Sequence, residues 1–301
     1  MNTKLLKLNE FYIRLIAIIT MTFDHVGVFL MMYMNQLGGV GFENPIYVLA
    51  FIFRCIGRIA MPLFILMVVE GVRHTSHFGK YILRMGSVAL AVLIAQIVIY
   101  YAFDTSIEGA MSPFVDLLLI ALMVYLLKRK DNYRYLAILP ISYLLLSYIV
   151  PVVEGANNIN VLWFPFYLRA GYSLFALLLG LAFYYSGVIS YRTISKHSGI
   201  EEESIITTME EYRALGNVLN CLALAFVGVL IFLSAYIVIN DVPIFDVYGA
   251  NIQSYCFLAI IPLYLYNGYR GYNKTWFKYF SYLYYPVHIV ILFAIFYLIF
   301  I

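Results

Sequence analysis

Asp24, His25, Arg58 and His288 each fall inside an apolar run, and Arg54, Glu70, Asp116 and Arg169 lie within or beside others. A charge at the centre of a bilayer costs at least ~2.5–3.5 kcal/mol on insertion scales, so such residues turn inward and pair, or line a wet path. Histidine titrates near neutrality and suits the removal of a proton from an amine or hydroxyl. An arginine beside it can hold a developing oxyanion. Asp24 and His25 are neighbours, so on a helix their side chains diverge by about 100°. That divergence gives Asp24 to Arg58 as a buried ion pair and leaves His25 to exchange protons. His288 is a second candidate base or proton carrier.

Depth supports grouping them. Asp24 and His25 lie a dozen residues from Tyr12, Arg58 a dozen after Ile46, and His288 ten after Lys278. At ~1.5 Å per residue all four reach the middle of a membrane. Arg54 is one turn from Arg58 on the same face, and with Asp116 and Arg169 it falls in the outer half. These three are the expected lining of a polar shaft that opens outward to a substrate. At the opposite end, Arg73, Lys80, Arg84 and Lys278 are candidate contacts for the phosphates of an anionic cofactor. Two plainer readings stand beside these: the central cluster fixes helix packing, and the basic residues mark only the cytoplasmic side. Glu70 reads as the interfacial partner of Arg73 and His74, three and four residues on.

The elements that position these residues must be membrane helices. Of 301 residues 64% are hydrophobic and 12% charged, against roughly 45–50% and about 25% in soluble domains. A soluble fold, disorder and a disulfide scaffold are excluded. Runs of spanning length occur near 11–34, 46–72, 81–103, 111–128, 135–153, 163–188, 216–239, 253–268 and 277–300. The expected fold is all-α, a polytopic bundle of about nine transmembrane helices forming a single membrane domain over 1–301. Alternating the spans from an inner N-terminus puts 16 of the 19 Lys and Arg on the cytoplasmic side. Glu43, Asp104, Glu108, Glu154, Asp241 and Asp246 then lie outside, as does the C-terminus. The Lys4, Lys7 and Arg14 prelude resembles a signal peptide, but the run behind it is long, contains Asp24-His25 and lacks a cleavage site, so an uncleaved first span is expected.

The hydrophilic stretch 189–215, with Glu201-Glu202-Glu203 and Glu210-Glu211, reads as a partly helical cytoplasmic loop. Pro62 and Pro286 should free the carbonyls of Arg58 and Tyr282 within a turn of the central residues. Cys55, Cys221 and Cys256 form no metal pattern and read as buried thiols. There is no HExxH, GxSxG, P-loop or GxGxxG signature, no expected metal, and nothing that points to nucleic acid.

Three blocks resemble the TraX family. They are Ile18-Ile19-Thr20-Met21-Thr22-Phe23-Asp24-His25-Val26-Gly27; Ile56-Gly57-Arg58-Ile59-Ala60-Met61-Pro62-Leu63-Phe64 with Glu70-Gly71, His74-Thr75, Tyr81 and Arg84; and Tyr284-Tyr285-Pro286-Val287-His288. Residues 105–270 carry little of the likeness, and Met61 stands where phenylalanine is usual. The resemblance implies a multi-pass acetyltransferase of the cell membrane, related to the conjugative-pilin N-acetylase. It would take acetyl from cytoplasmic acetyl-CoA to a peptide amine or glycan at or beyond the outer face. His25 would then be the base, with Asp24 and Arg58 holding and polarising the site. A proton-coupled transporter or exporter, and a noncatalytic assembly factor for a surface filament, remain the alternatives.

Overall fold

A computed structural model describes residues 8–103, 113–199, 201, 205–239, 242–243 and 247–300. Lys4, Lys7, Asp104, Glu108, Glu202, Glu203, Asp241 and Asp246, all used in the topology argument, lie outside the described residues. Helix α1 spans Glu10–Gln36, opened by Asn9, whose Oδ1 accepts from the Tyr12 N–H at 3.2 Å. Helix α2, Pro45–Gly57, starts the same way at Asn44, with Pro45 in the first position, where a missing N–H is harmless.

The chain then breaks. Arg58 and Ile59 form a turn through tight bonds to Cys55 O and Ile56 O, at 3.3 and 3.2 Å. Helix α3 resumes over Ala60–His74. Pro62 therefore sits in a first turn, which needs no donor from it, rather than in mid-helix as the sequence suggested.

Helices α4 (Phe78–Phe103), α5 (Pro113–Lys128), α6 (Ile138–Asn157), α7 (Ser173–Ser198) and α8 (Glu210–Ser234) follow. Residues Val238–Ile239 and Val242–Pro243 (β1 and β2) pair antiparallel. Short helices α9 (Val247–Ser254) and α10 (Ile260–Tyr264) flank a 3-10 turn, and α11 runs over Thr275–Phe300.

Among the described residues, seven helical stretches are long and apolar enough to cross a membrane: Glu10–Gln36, Pro45–His74, Phe78–Ala95, Asn132–Asn157, Phe166–Ser198, Glu210–Ser234 and Thr275–Phe296. The fold is an all-α bundle of membrane type. Two of the nine expected runs differ. Helix α5 has 16 residues, and the 253–268 run is divided among α9, the 3-10 turn and α10 instead of forming one rod. Hydropathy measured its length but not its breaks. The hydrophilic 189–215 stretch holds the end of α7 and the start of α8, and Ile194 and Tyr212 on these helices pack with Ile205 from the segment between them.

The chain groups into two compact units: residues 1–64, 186–232 and 248–301, and residues 65–185 and 233–247. In the first, α1 packs on α2 and α11. A Cβ at Gly27 would stand 2.8 Å from the Ala50 carbonyl oxygen, and one at Gly57 would collide with the Asp24 carboxylate. Two missing side chains thus let α1 and α2 close on each other. In the second unit, Gly180 of α7 admits Ile120 and Met123 of α5 in the same way, at 3.1–3.3 Å from where its Cβ would be.

Candidate functional site

Within the first unit, the close approach at Gly57 lays Asp24 of α1 directly over the end of α2. Arg58 Nη2 donates to Asp24 Oδ2, and Arg54 Nη1 donates to Oδ1 at 2.7 Å. The carboxylate is therefore held by two guanidinium groups, one on each oxygen. Asp24 and Arg58 are both only 7% exposed, so each needs the other's charge. Arg54, expected to line an outward shaft, belongs to this clamp instead: one helical turn from Arg58, it reaches the same acid.

Arg58 Nη1 also donates to Gln253 Oε1 of α9, at 3.2 Å. Because an arginine can only donate, this contact fixes which end of the amide faces it. Gln253 Nε2 is left buried without a hydrogen-bond partner. Sequence reasoning missed this residue because it weighed only ionisable side chains. A glutamine in the apolar run Ile252–Ile261 was the available signal.

His25, one residue on, turns away from the clamp as adjacent helical positions must, and meets α11. Its Nδ1 lies 2.7 Å from His288 Nε2, and His288 Nδ1 lies 2.7 Å from the Tyr284 carbonyl oxygen. That oxygen can only accept, so in the neutral pair His288 Nδ1 carries the proton and its Nε2 the lone pair. Nδ1 of His25 must then be the donor, and the lone pair of His25 falls on Nε2. A proton taken there can be shared through Nδ1 with His288. The Tyr284 ring stacks on His288 at 4.8 Å and 11°, and its hydroxyl meets Thr22 Oγ1 at 2.7 Å. His288 is 5% exposed while His25 is partly open. The arrangement is a half-open imidazole hydrogen-bonded to a buried one.

The second unit holds the other residues singled out. Asp116 is fully buried. Its carboxylate accepts from the backbone N–H groups of Gly171, Tyr172 and Ser173 at 2.9, 3.1 and 2.7 Å, capping α7 from another helix. Arg169 grips Glu154 with both terminal nitrogens, at 2.6 and 2.7 Å, and donates from Nε to Phe164 O at 2.9 Å. These two residues fold the loop between α6 and α7; the structure gives them that task in place of the expected shaft.

Arg73 meets Glu70 at 2.9 Å and donates from Nη2 to Phe183 O and Tyr184 O at 3.0 and 2.7 Å. It ties α3 to α7 and is not displayed for a phosphate. The expected Glu70 pairing with His74 is also present, at 3.6 Å. Lys80 is exposed, and one turn further along α4 Arg84 keeps a buried Nε without a hydrogen-bond partner. Lys278, on α11, belongs to the first unit.

Residues 10–201 match a protein-family model described as TraX protein. The match covers Asp24, His25, Arg54 and Arg58 and runs well into the middle of the chain, beyond the blocks that carry the likeness by eye; Gln253 and His288 lie past its end. No curated protein and no solved structure matches the chain.

Proposed function

The chain belongs to the TraX family, and on that premise we propose that it is an acetyltransferase of the cell membrane, acting on an amine or hydroxyl of a peptide or glycan at or beyond the outer face. Acetyl-CoA, bound from the cytoplasmic side, would supply the acetyl group as a thioester. The observation that carries the reading is the polarity of the histidine pair. His25 Nε2 takes the proton of the attacking amine or hydroxyl, and His288 shares the positive charge that follows. As the new bond to the acetyl carbon forms and the C–S bond breaks, that proton passes to the departing CoA thiolate. Arg54 and Arg58 pair with Asp24 and hold the neighbouring turn of α1, which fixes the direction in which His25 points. The N–H groups of Gln253 Nε2 have no acceptor of their own and suit an oxygen that gains negative charge during acyl transfer. Lys278, in the same unit as the histidine pair, is the proposed phosphate contact.

The test is transfer of labelled acetyl from acetyl-CoA by the purified full chain in lipid nanodiscs. His25→Ala should lower the rate per folded molecule by roughly 10²–10⁴-fold, the usual contribution of a positioned base, with a loss of stability of only about 1–3 kcal/mol from the unpaired His288. Undiminished transfer would remove the mechanism. A histidine pair also suits a proton-coupled transporter, and substrate flux without an acetylated product would favour that reading.

A further inference from the structure

A cleft of about 440 Å³ opens in the second unit where α3 and α5 end, lined by Val72 and Thr75 from the first and by Tyr125 and Lys128–Asp131 from the second. Its volume lies in the range of small-ligand sites, roughly 300–1,000 Å³. Three consecutive cations, Lys128, Arg129 and Lys130, face one acid, Asp131, which leaves the lining with a surplus of positive charge.

The wall is built rather than loose. Phe78 lies flat against Tyr125, with ring centroids 3.7 Å apart and planes 3° from parallel. Lys128 Nζ donates to the Arg73 carbonyl oxygen at 3.0 Å, at the negative end of the α3 dipole. Arg129 holds Asp131 with Nε and Nη2, at 2.8 and 2.5 Å. This is the two-pronged grip that guanidinium groups also use on phosphate. The Arg129 hydrogen bond keeps the Asp131 carboxyl below the usual carboxylate range, so the acid remains a charged occupant of the fork at neutral pH.

We propose that this cleft binds a phosphate-bearing anion, with Arg129 as its fork, Lys128 and Lys130 as flanking charges, and Asp131 as an internal competitor that the ligand displaces. A phosphate group brings more oxygens than a carboxylate, so it can fill the Arg129 fork and also turn oxygens toward the two lysines. Two sources share this chemistry: the headgroup of an anionic phospholipid and the phosphates of a soluble nucleotide. No bond is made or broken, and the inference stands apart from acetyl transfer.

Binding to the full chain tests it, with two probes. Adenosine 3′,5′-bisphosphate is titrated calorimetrically into nanodiscs of phosphatidylcholine, and phosphatidylglycerol retained after delipidation is counted by native mass spectrometry. K128Q/K130Q should weaken the responding probe by roughly two- to fivefold for each exposed lysine, and less at high salt. K128R/K130R should retain binding, and Asp131→Asn should tighten it. The opposite signs separate a binding site from a structural patch, and the arginine and asparagine variants serve if the glutamine pair unfolds. A response from the nucleotide identifies the soluble source, and one from the lipid alone identifies the headgroup. If neither probe responds to these variants, the site does not exist.

Discussion

Replacing His288 by leucine removes the acceptor of the His25 Nδ1–H while keeping an apolar side chain on α11. In the resting state the loss is that of a neutral hydrogen bond. Once His25 has taken the acceptor's proton, the same bond is made by an imidazolium, and hydrogen bonds to charged groups contribute about 1.5–3 kcal/mol. The neutral bond of the resting state contributes about 0.5–1.5 kcal/mol, so the difference is about 1–1.5 kcal/mol, and at 1.36 kcal/mol per tenfold kcat should fall roughly 5- to 13-fold. KM should stay nearly constant, because the bond strengthens only as the proton moves. His288→Gln restores an acceptor oxygen near the former Nε2 position and should recover much of the rate. Steady-state acetyl transfer in nanodiscs, normalised to folded protein, gives both constants. An unchanged kcat in His288→Leu, or a glutamine variant no better than leucine, would refute the proton-sharing argument.

The remaining predictions concern what holds the site. Gly57→Ala drives a methyl group into the Asp24 carboxylate and should cost about 1–3 kcal/mol, as overpacking usually does, read as a lower thermal midpoint together with lost transfer. Gln253→Leu leaves Arg58 Nη1 without its amide acceptor and removes the Nε2 donors, so transfer should fall even where unfolding curves show a loss of only about 1–3 kcal/mol. Asp116→Asn presents an amide N–H to backbone N–H groups and loses at least one of three charge-assisted bonds, at about 1.5–3 kcal/mol each. It should lower the thermal midpoint yet leave kcat/KM per folded molecule intact; the reverse pattern would return Asp116 to a substrate path.

The central cluster was legible because burying charge in lipid demands a partner, and depth alone brought Asp24, His25, Arg58 and His288 to one level. The Asp24–Arg58 pair followed from the divergence of adjacent helical side chains. Arg54 was misplaced because a long guanidinium stem reaches back a full turn, which axial counting ignores. Asp116 and Arg169 were misread for another reason. Their partners are mostly backbone groups, the carbonyl of 164 and the N–H groups of 171–173, and backbone groups leave no mark in a sequence. The break at Arg58–Ile59 escaped for the same reason, since Pro62 fits a first turn as well as it fits a kink.

Asp24 fills the space that Gly57 leaves, and this joins two positions into a single choice. Glutamate at 24 would push a longer acid past the gap, and any residue with a side chain at 57 would evict the shorter one. Nature offers no carboxylic side chain shorter than aspartate to restore the fit. Among relatives sharing this geometry the two should therefore be inherited as a unit, and swapping one without the other should be a dead end for directed evolution.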